Sequence, residues 1–183
     1  VQSARQLERA LTLDPSNQMI HLNLGIAQQN LNRLKDARRS YQRAIDLKPD
    51  YAEAHVNLGN VYKDWGQPKK AIECYETAIS VRPDFAEAYN NLGNVHKDRG
   101  ELDEAAEAYS KALSLRPDLA ELHNNMGNVR MEQGLLEAAM GDYRRALELR
   151  PDLAVLHSNL VFCMNYSPRF SGEEILDESR LWT

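Results

Sequence analysis

Residues 55–84 read HVNLGNVYKDWGQPKKAIECYETAISVRPD, and residues 89–118 read YNNLGNVHKDRGELDEAAEAYSKALSLRPD. A shift of 34 residues lays Leu58 on Leu92, Gly59 on Gly93, Tyr75 on Tyr109 and Pro83 on Pro117. Working outward, the same step carries prolines at 15, 49, 83, 117 and 151, and glycines at 25, 59, 93 and 127. Alanines 37, 71, 105 and 139, tyrosines 41, 75, 109 and 143, and alanines 44, 78, 112 and 146 keep it too. A fixed period of this length marks one supersecondary unit that cannot bury its apolar face alone and does so by stacking on its neighbours.

Each unit reads as two helices. The first ends at about Trp65, because Gly66 tolerates the left-handed conformation that closes a helix; Gly100 and Gly134 are its copies and Asn32 substitutes. The second begins near Pro68, where a missing N–H costs nothing, and runs to about Val81. Asp50 is placed to cap the first helix, with Glu53 completing a capping box, and Asp84/Glu87 and Asp118/Glu121 repeat the arrangement. Gly59 and Ala71 fall where the paired helices cross and keep the backbones close. The expected architecture is all-α, a right-handed solenoid of antiparallel helix pairs. Residues 1–17 supply the second helix of a truncated repeat, since Leu7, Ala10 and Leu13 copy Tyr41, Ala44 and Leu47. Full repeats follow at 18–51, 52–85, 86–119 and 120–153. Residues 154–166 give the first helix of a fifth, and 167–183 a turn and C-terminal helix leading toward a missing downstream domain.

Composition narrows function. The formal charge of −5 is dispersed, which argues against nucleic acid and against an anionic membrane surface, and no run approaches the ~20 apolar residues of a membrane span. Cys74 and Cys163 are far apart and without metal-ligand spacing, so reduced, buried thiols in a cytoplasmic protein are expected. His21, His55, His123 and His157 share one repeat slot, and His96 takes the slot of Tyr62; all five read as framework residues. No phosphate-cradling loop, nucleophile elbow or Cys/His cluster is present, so no enzymatic activity, cofactor or metal is expected of this stretch. Glu173 and Glu174 read as first-turn charges of a helix from Ser171 to Trp182.

The spacing of Leu58, Gly59, Tyr62, Ala71, Tyr75, Ala78 and Pro83 resembles the tetratricopeptide repeat, and the match covers about residues 1–166. In that family the first helices line a concave groove that holds proteins or extended peptides. The resemblance therefore places a polar stripe of Asn57, Asn60, Lys63 and Asp64 along the groove, continued by Asn91, Asn94, Lys97 and Asp98, and by Asn125 and Asn128. The asparagine before Leu-Gly also matches at Asn23 and Asn159. An amide side chain offers both donor and acceptor, the complement of a peptide unit, so such a ladder can hold a backbone while asking little of its side chains. The same amides can instead hydrogen-bond neighbouring repeats and fix their stacking. Groove slots that would carry lysine and arginine in a carboxylate clamp carry Glu and Asn here. Association through the open end formed by residues 1–14 is a further expectation of a repeat array.

The segment HSNLVFCMNYSPRFSGEEILDESRLW, 157–182, resembles the junction in bacterial O-linked N-acetylglucosamine transferase-like proteins of the SPINDLY type. There the last repeat passes through an Asn-Tyr-x-Pro turn and a Ser-x-Glu-Glu-Ile helix into a glycosyltransferase region. The resemblance implies the substrate-recognition arm of a protein O-glycosyltransferase; the alternative is a non-enzymatic adaptor or assembly scaffold.

Overall fold

A computed structural model describes residues 2–180 and forms two compact units, Val1–Val95 and His96–Thr183. The described residues are all-helical. The first unit holds α1 (Gln2–Leu13), α2 (Gln18–Asn30), α3 (Leu34–Leu47), α4 (Ala52–Asp64), α5 (Pro68–Val81) and most of α6 (Ala86–Asp98). The second holds α7 (Leu102–Leu115), α8 (Ala120–Glu132), α9 (Leu136–Leu149), α10 (Ala154–Tyr166) and α11 (Gly172–Arg180). Short turns make successive helices antiparallel, and the pairs α2/α3, α4/α5 and α8/α9 are the most intimately packed.

The turn inside each pair is set by one left-handed residue. Gly66, Gly100 and Gly134 have φ of 66°, 74° and 77°, and Asn32 takes the same place at 56°. The chain then folds back so that the Gln67 N–H reaches the Tyr62 carbonyl at 2.9 Å, and Leu135 reaches Arg130 at 2.8 Å. These bonds satisfy carbonyls that the helix end would otherwise leave unpaired. Pro68 stands in the first turn of α5 as expected. Because a Cβ at Gly66 would meet no atom within 4 Å, conformation alone decides the cost of a side chain there. Gly66→Ala is expected to lose about 1 kcal/mol and Gly66→Asn less, since asparagine bonds its own backbone in this region. Urea denaturation of both variants checks the order.

The capping boxes expected at Asp50, Asp84 and Asp118 are corrected in part. Helices α4 and α8 are capped by Tyr51 and Leu119, one residue later, with no side-chain capping bond. The Pro-Asp step belongs to the preceding turn, which draws the aspartate to other partners: Asp118 receives Nε and Nη2 of Arg116 at 3.0 and 3.3 Å. Glu53 bonds Arg82 at 2.6 Å rather than closing a box. Burial pushes the Glu53 carboxyl up, but its own backbone N–H and Arg82 outweigh this and hold it below the usual range. True caps occur at the two places where the repeat gives way. Asn17 Oδ1 accepts from the N–H groups of Met19 and Ile20, and Ser171 with Glu174 forms a reciprocal box at α11.

Within a pair the crossing is a glycine under a ring. Tyr41, Tyr75, Tyr109 and Tyr143 are fully buried, as are Ala71, Ala105 and Ala139. A Cβ on Gly59 would lie 2.6 Å from Cε1 of Tyr75; on Gly25 and Gly127 it would lie 2.5 and 2.6 Å from the matching atoms of Tyr41 and Tyr143. The glycine thus makes room for the tyrosine, a more specific reason than close backbones. At the far end, Phe170 and Ile175 pack on Leu160, Cys163 and Met164, so α11 covers α10 where a second repeat helix would. Leu181 and Trp182, the end of the helix expected from Ser171, lie outside the described residues. Both cysteines are unpaired thiols; Cys163 is buried and Cys74 half-buried, with burial pushing the Cys74 thiol up to about 11.

Candidate peptide-binding face

The helical period sets the stripe. Positions stepping by four, three and four share one face of a helix, so Glu53, Asn57, Asn60 and Asp64 align on α4, and Glu121, Asn125, Asn128 and Glu132 on α8. On α4 the amides are already engaged. Asn57 is half-buried and its Nδ2 donates to the Glu53 carbonyl of its own helix at 2.9 Å. Asn60 Oδ1 accepts from the Tyr75 hydroxyl at 2.7 Å and from Nδ2 of Asn91, on α6, at 3.1 Å. An amide oxygen has two lone pairs, so Asn60 has its acceptor filled and keeps its N–H groups to offer.

The second unit repeats part of this wiring. Asn128 Oδ1 accepts from the Tyr143 hydroxyl at 2.9 Å, and Asn159 Nδ2 donates to Oδ1 of Asn124 at 2.8 Å. Asn124 was not among the residues the sequence singled out, although the doublets Asn90-Asn91 and Asn124-Asn125 signal that a second amide stands beside the stripe. Asn94 and Asn125 are half-buried, and Asn23 is exposed on α2. Lys63, Asp64 and Asp98 are exposed and Lys97 half-buried. Gln29 Nε2 lies 3.5 Å from Asp64 Oδ2.

Burial pushes the phenols of Tyr41, Tyr75 and Tyr143 well above their ordinary value, so each hydroxyl stays protonated and donates. Where the first repeat has Ile26 in place of the accepting asparagine, the Tyr41 hydroxyl finds Gln29 Oε1, three residues further on, at 2.9 Å. At Asn60 and Asn128 the second asparagine of Asn-x-Gly-Asn therefore serves the helix pair, accepting from the tyrosine of the second helix. The first is less uniform, bonding its own helix at Asn57 but a neighbouring repeat at Asn91 and Asn159.

The histidines do framework work. Nε2 of His21, His55 and His123 contacts the carbonyl of Pro15, Pro49 and Pro117 at 3.0, 2.8 and 3.0 Å, tying each first helix to the turn before it. His96 Nδ1 lies 2.7 Å from Glu101. Among the described residues no three His, Cys, Asp or Glu side chains gather as a metal would require, and no helix is long and apolar enough to cross a membrane.

A tetratricopeptide repeat profile matches residues 120–153, and a related TPR repeat profile matches 30–66, 60–98 and 93–134. No curated protein sequence matches the chain. Among solved structures it is similar to MamA, at 30% identity over 81% of this chain and 86% of that one, with a TM-score of 0.74. It is similar to YrrB, described as a TPR protein with an unusual peptide-binding site, at 22% identity over 96% and 91% of the two chains and a TM-score of 0.79. PilF of Pseudomonas aeruginosa matches at 20% identity over 92% and 74%, with a TM-score of 0.80. The last two likenesses show the fold alone.

Proposed function

This chain belongs to the tetratricopeptide repeat family of protein-interaction modules, and on that premise we propose that the polar stripe of its first helices holds extended peptide segments by their backbones. The observation that supports this most is the filled acceptor of Asn60. With Tyr75 and Asn91 occupying its oxygen, the amide is held in one orientation, and what it has to offer a peptide is N–H donors, matched to peptide carbonyls. Exposed Asp64 on the same stripe disfavours acidic ligands. Each amide contact nets about 1 kcal/mol, while association and ordering cost about 4–15 kcal/mol. Binding is accordingly weak and broad, suited to recruiting long unstructured segments.

Asn57→Ala tests this most cleanly, because among the described residues its amide bonds its own helix and alanine is the better helix former. The variant is expected to bind fluorescein-labelled, unstructured 12-residue peptides about threefold to tenfold more weakly, with its melting temperature unchanged or raised. Peptides N-methylated at alternate residues are expected to lose binding more than peptides with altered side chains. Equal anisotropy titrations for methylated and unmethylated peptides would remove the backbone reading.

The segment 157–182 supports a finer assignment through its resemblance to transferase junctions: the substrate-selecting arm of a protein O-glycosyltransferase. The full-length gene product, incubated with UDP-N-acetylglucosamine and proteins the repeats capture, should then place sugar on serine or threonine. Capture without transfer would favour the non-enzymatic adaptor.

A further inference from the structure

The stripe changes character on α10. Where α8 carries Glu121, Asn125, Asn128 and Glu132, the same slots one repeat later hold Val155, Asn159, Phe162 and Tyr166. Three of the four have become apolar, yet they remain in water: Val155 is 57%, Phe162 49% and Tyr166 63% exposed. Burying large apolar side chains is worth about 1.5–3 kcal/mol each, so a stripe that keeps three of them open is one whose burial is left to a ligand. Phe162 and Tyr166 pack ring against ring, centroids 4.9 Å apart, which fixes both.

They also close one side of a cleft. Met131, Gly134 and Leu136 form the opposite wall, and the open cleft has a volume of about 400 Å³. That falls in the range of side-chain and small-ligand pockets, about 300–1,000 Å³. Met131 is itself a departure: Lys63 and Lys97 occupy its slot in the two preceding repeats. Methionine suits a wall that must fit varied aromatic or aliphatic guests. Beside the cleft, Glu132 and Glu137 are exposed. Of the cations close to these residues in the chain, Arg130 is held by Asp142, and Arg169 acts on Glu174. The surroundings are therefore acidic, and Asn159, bonded to Asn124, stands on the same helix face between Val155 and Phe162, so the amide stripe reaches the helix that carries the cleft's aromatic wall.

We infer that the α8–α10 cleft is an anchoring pocket for one bulky apolar side chain, Phe, Leu or Met, of an extended peptide bearing lysine or arginine next to it. This rests on the backbone-binding role proposed for the asparagines and gives that otherwise tolerant surface its selectivity. The apolar lining sets the anchor, the glutamates set the sign of the flanking charge, and Asn159, on the same face of α10 as Phe162 and Tyr166, makes the occupant a peptide.

The test compares three labelled peptides, Gly-Ser-Ser-Lys-Phe-Lys-Ser-Ser-Gly, its Phe→Ala form and a form with both lysines changed to glutamate, by fluorescence anisotropy. The Phe peptide is expected to bind at least tenfold more tightly than either of the others. Phe162→Asn with Tyr166→Glu, which restores the residues of the α8 stripe, should bring the Phe-to-Ala affinity ratio close to one. Met131→Lys, which changes the other wall to a residue two other repeats carry, should do the same, and thermal melts confirm that both variants fold. Discrimination that survives both variants, or a wild-type protein that binds Phe and Ala peptides alike, overturns the pocket while leaving backbone binding in place. No binding of any peptide to the wild type overturns the backbone reading and the pocket with it. A wild-type dimer in sedimentation that Phe162→Asn/Tyr166→Glu dissolves also overturns the pocket, because a second copy is then its occupant.

Discussion

Gly59→Ala is expected to destabilise the protein by about 2 kcal/mol, although helix propensity alone would favour the change by about 1 kcal/mol. The two effects oppose each other and packing decides. The new Cβ would stand 2.6 Å from Cε1 and 2.9 Å from Cδ1 of Tyr75, closer than non-bonded carbons tolerate. Relief requires the ring to move, and the ring cannot move freely: it is fully buried and its hydroxyl is tied to Asn60. Any shift of the ring therefore also loosens the Asn60 amide, which is proposed to hold peptide backbones. Tyr75→Leu in the same chain is expected to recover part of the loss, since a smaller side chain vacates the position the Cβ needs. Urea denaturation of the two single variants and the double variant reads this as a coupling energy. Additive losses would mean that the tyrosine is not the atom group that requires glycine.

The 34-residue step made the helix pairs legible because turn chemistry is local: a left-handed residue at 32, 66, 100 and 134 and a proline opening α5 each act within a few residues. The tyrosine over glycine was less legible, since it joins residues 16 apart on two helices. It could still have been read by following substitutions from repeat to repeat. Where Ile26 replaces asparagine, Gln29 appears three residues on, and the Tyr41 hydroxyl uses it. A tyrosine that takes a new acceptor when the old one is absent points to a bond within the pair. The capping boxes misled because Ser/Thr/Asp-x-x-Glu has the same spelling whether the acid caps the helix or belongs to the turn before it. The pull of Arg116 on Asp118 is what separates the two. The apolar turn of the stripe on α10 was visible in sequence as isolated departures, Val155, Phe162 and Tyr166. That Met131, Phe162 and Tyr166 share one cleft required the fold.

A second large effect is expected from Arg130→Gln. Asp142 is almost fully buried and receives Nη1 of Arg130 at 2.7 Å. Burial pushes its carboxyl above the ordinary aspartate value, with Arg130 and, less directly, His123 drawing it back. Losing the arginine leaves a buried carboxylate without its counter-ion. For fully buried pairs this costs about 3–5 kcal/mol; Arg130 is 36% exposed, which screens the pair and brings the expectation to about 2 kcal/mol at pH 7. The sign of the pH dependence follows. An acid whose folded value is raised binds its proton more tightly when folded, so its penalty is full at neutral pH and fades as pH falls through that raised value. Denaturation midpoints of Arg130→Gln should thus approach those of the wild type as the pH is lowered from neutral. The repeat supplies the rescue. The slots of Arg130 and Asp142 hold Gln28 and Ser40 in the first repeat, where Ser40 Oγ donates to Gln28 Oε1 at 2.7 Å in a buried, neutral pair. Adding Asp142→Ser to Arg130→Gln recreates that pair and should restore most of the lost stability and abolish the pH dependence. A double variant as unstable as Arg130→Gln would show that the ion pair is not what this position of the fold demands.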